Sequence, residues 1–149
     1  MQKFISRIKL LILAFLFLSG CGGSKSDHVK TANKMTQSGM VSQISKELGM
    51  TSSQTEAGLG AVMMLSKDKL SPDDFSKLSK SIPGGSSSLI KQATDLGVVP
   101  GSISSTADII SVLTKLGVSP VQAAKFTGSV LKMAGSLGGS TLGLLSKVL

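Results

Sequence analysis

An unbroken apolar run, Leu10 to Leu18, leads into Ser19, Gly20 and Cys21, and Cys21 is the only cysteine in the chain. Lys3, Arg7 and Lys9 flank the run on its N-terminal side. A basic start, a short apolar stretch and small residues at its end make a secretory signal peptide. The run is too short to span a bilayer, which takes roughly 20 apolar residues. This segment divides the chain before any fold is considered: residues 1–20 are expected to be removed, and the fold must be built from the remainder. The signal also takes Phe4, Phe15 and Phe17 with it, leaving Phe75 and Phe126 in a chain without Trp or Tyr. The core must therefore be made of Leu, Ile, Val, Met and Ala.

Leu18-Ser19-Gly20-Cys21 resembles the bacterial lipobox. The resemblance implies cleavage before Cys21 and acylation of its sulfur and its new amino group, making Cys21 the expected lipid attachment site and membrane lipid the expected partner. One acyl chain anchors a protein only marginally, whereas two or more hold it stably. Residue 22 is Gly. By the lipoprotein sorting rule, Asp there resembles an inner-membrane retention signal, so the expected location is the outer membrane, on its periplasmic face. With one cysteine there can be no internal disulfide. Of sixteen Lys and Arg, three leave with the signal, so thirteen face eight Asp and Glu in the mature chain.

Residues 21–39 are rich in Gly, Ser, Lys, Thr, Asn and Gln, with few apolar positions, and are expected to form a flexible tether. His28 lies there without a second His or a free Cys to complete a metal site. Residues 40–149 are expected to form one all-helical domain, a small bundle of about six or seven short helices. Met40, Val41, Ile44 and Leu48 recur at helical spacing before Gly49. Thr51 with Gln54 is a capping box, opening a helix through Leu59, Val62, Met63 and Leu65. Ser71-Pro72-Asp73-Asp74 opens another, with Phe75, Leu78 and Ile82 expected inward and Pro83-Gly84-Gly85 as its stop. Residues 86–96 read as a helix burying Leu89, Ile90, Ala93 and Leu96. A further helix starts at Ser104 or Ser105 and runs to Leu116. Ser119-Pro120-Val121-Gln122 is a second capping box, ahead of Ala124, Val130, Leu131 and Ala134. A break near Gly138-Gly139 precedes a last segment with Leu142, Leu145 and Val148. No stretch alternates with period two, so no strand is expected.

Leu48-Gly49-Met50-Thr51-Ser52-Ser53-Gln54 matches Leu116-Gly117-Val118-Ser119-Pro120-Val121-Gln122, and Gly60 and Val62 fall on Gly128 and Val130. With a one-residue shift, Phe75 and Leu78 fall on Leu142 and Leu145. Two repeated helical units would produce this match, and so would the features that capped helices share. From Val41 to Leu149 the chain resembles the uncharacterised bacterial family named for VcgC and VcgE. The likeness rests on Leu48-Gly49 before a capping residue, Lys69-Leu70-Ser71-Pro72-Asp73-Asp74-Phe75, Ile82-Pro83-Gly84 and Leu116-Gly117-Val118-Ser119-Pro120-Val121-Gln122-Ala123. A fainter likeness of the last motif reaches the all-helical YidB-like proteins. The resemblance implies an all-α fold and supplies no activity and no functional residue.

The motifs for chemistry are weak. Ser-x-x-Lys occurs at Ser66-Lys69, Ser88-Lys91 and Ser129-Lys132 without the accompanying motifs of a serine acyl-enzyme. Asp73 and Asp74 are adjacent, so on a helix they diverge, and a helix start explains them. Met63 and Met64 point about 100° apart and read as core. Lysines are scattered without aromatic residues between them, which speaks against nucleic acid. No catalytic, cofactor or metal residue is expected, and the protein reads as a binding or structural module rather than an enzyme. A protein of the envelope or a second copy of the chain would be its partner. Gly135, Gly139 and Gly143, four apart, carry the alternative: a membrane-active or self-associating lipoprotein acting through a Gly-rich C-terminal helix.

Overall fold

The computed structural model describes residues 35–149. The expected signal peptide, Cys21, His28 and most of the expected tether lie outside them. The described residues form seven helices: α1 Gln37–Leu48, α2 Ser52–Lys69, α3 Pro72–Ser81, α4 Gly85–Asp95, α5 Thr106–Lys115, α6 Pro120–Leu137 and α7 Gly139–Leu145. They contain no strand. The fold is the all-α bundle that the apolar spacing predicts.

Local chemistry sets the helix ends. The Thr51 hydroxyl accepts from Gln54 N at 3.2 Å, while Gln54 Oε1 accepts from Thr51 N at 2.9 Å. Ser119 and Gln122 repeat the same reciprocal cap at α6, with Pro120 at its first position. Ser71 caps α3 ahead of Pro72, and Asp73 and Asp74 occupy the first turn. α1 begins at Gln37, ahead of the expected start at Met40, because the Thr36 hydroxyl accepts from Gly39 N at 3.1 Å. Gln37, Ser38 and Gly39 carry no apolar signal, so the periodicity alone places the start too late and the tether end too far along. Gly49 and Gly117, with φ of 65° and 85°, turn the chain left-handed after α1 and α5. Behind them Met50 N donates to Ser45 O and Val118 N to Leu113 O, the same helix-closing bond in both places.

The two matched stretches are two helical units packed against each other within one domain. α1, α2 and α3 form the first, α5, α6 and α7 the second, and α4 lies between them in sequence. α1 packs on both α2 and α6, and α5 packs on both α6 and α2. The two capping glutamines bind the units to each other. Gln54 Nε2 donates to Leu116 O at 2.8 Å, and Gln122 Nε2 donates to Leu48 O at 2.7 Å. Each glutamine thus caps the start of its own helix and the end of the opposite unit's first helix. This reciprocity is an approximate twofold relation with a sequence offset of 68. Gly58 and Phe126 share that offset and meet at the centre, where the fully buried Phe126 ring covers the face of α2 that Gly58 leaves open.

Gln54→Ala and Gln122→Ala are each expected to destabilise the domain by about 1–3 kcal/mol, because a helix-end carbonyl loses its donor. Gln54→Glu separates the two roles. Its carboxylate can still accept from Thr51 N, but it cannot donate to Leu116 O. Urea unfolding should place Gln54→Glu near the alanine variant if the cross-unit bond dominates, and near wild type if the local cap does.

α4 breaks the symmetry. It packs extensively on α2, and among the described residues no helix takes the matching place on α6. As a result α2 is buried continuously from Ala57 to Ser66, whereas Ala124, Lys125, Gly128 and Lys132 of α6 remain exposed. Several inward positions differ from the helical spacing. Leu96 is 37% exposed, because Gly97 (φ 91°) turns the chain and Val98 and Ile103 take the buried places instead. Ala124 faces solvent while Ala123 and Phe126 are buried, and Phe75 is only half-buried. Leu142 is 36% exposed with Leu144 and Leu145 inward, since the break at Gly138 (φ 132°) resets the phase of α7. That break also removes the glycine stripe: Gly135 lies on α6, and Gly139 and Gly143 lie on α7.

Candidate functional site

The residues with conceivable chemistry are dispersed by the fold. The Ser66 hydroxyl is buried and donates to Val62 O at 2.7 Å, while Lys69 is exposed. Lys91 pairs with Asp95 at 2.7 Å, and Lys132 pairs with Glu47 at 3.2 Å, so neither is held by the serine three residues before it. Asp74 pairs with Lys77 at 3.5 Å across one turn of α3. Met63 and Met64 are both buried in the core. Asp108 Oδ2 accepts from the backbone N–H and the hydroxyl of both Ser104 and Ser105, each at 2.9 Å. The Ser104 backbone N–H foremost, then the Ser105 and Ser104 hydroxyls, holds that carboxyl below its usual range. The cluster is a helix start at the surface. Among the described residues no group of three His, Cys, Asp or Glu could hold a metal ion, and no helix is long and apolar enough to cross a membrane.

Among the described residues, two surface grooves stand out. The first has a volume of about 270 Å³ and runs between the α4–α5 connection and α5, lined by Leu96, Val99, Val112, Lys115 and Leu116. Val99 is 62% exposed at its rim. The second has a volume of about 460 Å³ and lies between the end of α1 and the bare face of α6. Gly128 forms part of its lining beside Ala124, with Lys125, Lys132 and Glu47 around it. Among the described residues, a methyl group added at Gly128 would meet no atom within 4 Å, so the groove is open at that point. Sequence periodicity did not reveal this second groove, since nothing in a helical repeat records which face goes uncovered. The offset of 68 that pairs Gly128 with Gly60 was the available signal.

The sequence profile of a family described as protein of unknown function VcgC/VcgE (DUF2780) matches residues 21–109. The chain belongs to this family. The VcgC/VcgE match begins at Cys21 and takes in α1 to α4 and the start of α5. The likeness read from the sequence extended from Val41 to Leu149. Its first three motifs lie inside the match, and Leu116 to Ala123 lies beyond it. No curated protein and no solved structure matches the chain. Membership of the VcgC/VcgE family brings no assigned activity, so the function must be argued from this chain.

Proposed function

We propose that this VcgC/VcgE protein is a lipid-anchored, non-catalytic binding or structural module of the bacterial envelope. The observation that carries the reading is Leu18-Ser19-Gly20-Cys21 directly at the end of the apolar run, with Cys21 the only cysteine in the chain. The family match opening at Cys21, where the lipobox places the mature N-terminus, supports it. Gly22 favours the outer membrane, with the helical domain on the periplasmic face. The Gly-, Ser- and polar-rich composition between Cys21 and α1 fits a tether joining the lipid to the helical domain. The domain's part is recognition, through the grooves left on its surface.

Intact mass and membrane fractionation of the native protein, beside Cys21→Ala, test the anchor. The wild type is expected to begin at Cys21, to carry the mass of a diacylglyceryl group and a further acyl chain, and to fractionate with outer membranes. Cys21→Ala is expected to carry no acyl mass and to leave that fraction. An unmodified wild-type protein with the signal removed elsewhere would overturn the reading.

A further inference from the structure

We infer that the groove around Gly128 is a docking site for one helix of a partner protein, seated on α6 as α4 is seated on α2. Gly60 and Gly128 are equivalent positions, both 68 apart and both mid-helix in helices of 18 residues. At Gly60 the glycine is required, because α4 lies directly on it. A methyl group there would run into the Leu89 carbonyl and the Ala93 side chain. At Gly128 no atom of the described residues outside the helix's own backbone lies within 4 Å of the place a methyl group would take. Glycine is disfavoured in a helix interior relative to alanine, so a position that needs no close contact has no packing reason for it. The two units share their caps, their cross-unit bonds and their glycine. They differ in that, among the described residues, the first has a covering helix and the second does not.

The occupant follows from the covering helix already present and from charge. α4 brings a small residue, Ala93, to the crossing point, where only small side chains allow helices to approach closely. A helix on α6 needs the same. The surroundings differ from those at Gly60. Where α2 has Ala57 and Met64, α6 has the exposed Lys125 and Lys132. Lys132 shares Glu47, and Lys125 makes no ion pair among the described residues. The groove therefore selects a helix with a small residue at its centre and carboxylates along one flank. Such charges set orientation and specificity more than affinity. The inference deepens the binding-module reading and rests on it, but it does not depend on the anchor.

The test uses a hydrocarbon-stapled peptide with the α4 sequence, residues 85–96, carrying Ser88→Glu and Gln92→Glu to put two carboxylates beside the contact face. Its binding to the purified native protein is read by fluorescence anisotropy, in nanodiscs if the protein carries lipid and in buffer if it does not. Saturable binding is expected, weaker with added salt, and weaker for the peptide without the two substitutions. Gly128→Leu is expected to weaken binding by about tenfold or more, since the added side chain fills the crossing point. The substituted position is open, so circular dichroism of Gly128→Leu should show an unchanged fold. Equal binding to wild type and Gly128→Leu, or no binding to wild type, would overturn the proposal. So would a wild-type dimer in sedimentation velocity that Gly128→Leu converts to monomer, which would assign the groove to a second copy. Cys21→Ala should leave peptide binding unchanged, so a failed anchor and a failed groove give different results.

Discussion

Gly60→Ala is expected to destabilise the domain by about 3 kcal/mol, whereas Gly128→Ala, at the repeat-related position, stabilises it by up to about 1 kcal/mol. The two substitutions are chemically identical and sit at the same register of two matched helices. In isolation each should help, because alanine is the better helix former by about 1 kcal/mol. The difference lies in what stands opposite. At Gly60 the new methyl group meets the backbone carbonyl of Leu89 and the Ala93 side chain. Backbone cannot rotate away as a long side chain can, so α4 must shift as a whole. Leu89 and Ala93 are fully buried, and any shift also disturbs their contacts with the core. Overpacking of this kind typically costs about 1–3 kcal/mol, and contact with backbone places it at the upper end. At Gly128 no atom of the described residues opposes the methyl, and only the helix-propensity gain remains. Urea unfolding of the two variants beside wild type measures both. Equal stabilisation by both would mean that α4 does not lie on α2.

Much of this architecture was legible because its determinants are local. A cap is made within four residues, so Thr51 with Gln54, Ser71 with Pro72 and Ser119 with Gln122 could each be read without knowing what they pack against. The start at Ser105 was also readable, although Asp108 as the reciprocal partner was not, since the familiar pattern asks for Glu or Gln three residues on. Positions fixed by distant contacts were missed. The sequence shows the glutamine side-chain oxygen of each box satisfied locally, and gives no hint that the nitrogen of the same amide reaches 62 or 74 residues away. Helical phase carried one residue past the end of α4 points Leu96 inward, where the chain is already turning. The apolar spacing of α6 does not single out Phe126, although among the described residues it is the largest fully buried side chain. The bare groove on α6 is an absence of packing, and absence leaves no periodic mark. The repeat offset did hold that information. Applied to every position of the long helices, it sets Gly58 against Phe126 and the covered Gly60 against the open Gly128.

The pairing of Gly58 with Phe126 yields the second large effect. Phe126→Ala is expected to cost about 3–5 kcal/mol, since it empties the centre of the interface between the two units. Gly58→Ala alone is expected to destabilise by about 1–3 kcal/mol, because its methyl would stand 2.6 Å from the Phe126 ring and 3.0 Å from Leu113. The ring is fully buried. Combined, the two should not add. With the ring gone, the methyl at position 58 enters the space the ring occupied and regains part of the lost packing. Gly58→Ala should then change sign, from destabilising in the wild type to neutral or stabilising in Phe126→Ala. A double-mutant cycle by urea unfolding reads this as a coupling of about 1–3 kcal/mol. Additive losses would show that the two residues do not touch across the centre. Asymmetry of this kind is what a folded pair of repeats requires. Two equivalent positions that face each other at the centre cannot both be large, and two glycines would leave a void. The chain resolves it with one of each, and the same division between units, covered and uncovered, large and small, recurs at Gly60 and Gly128.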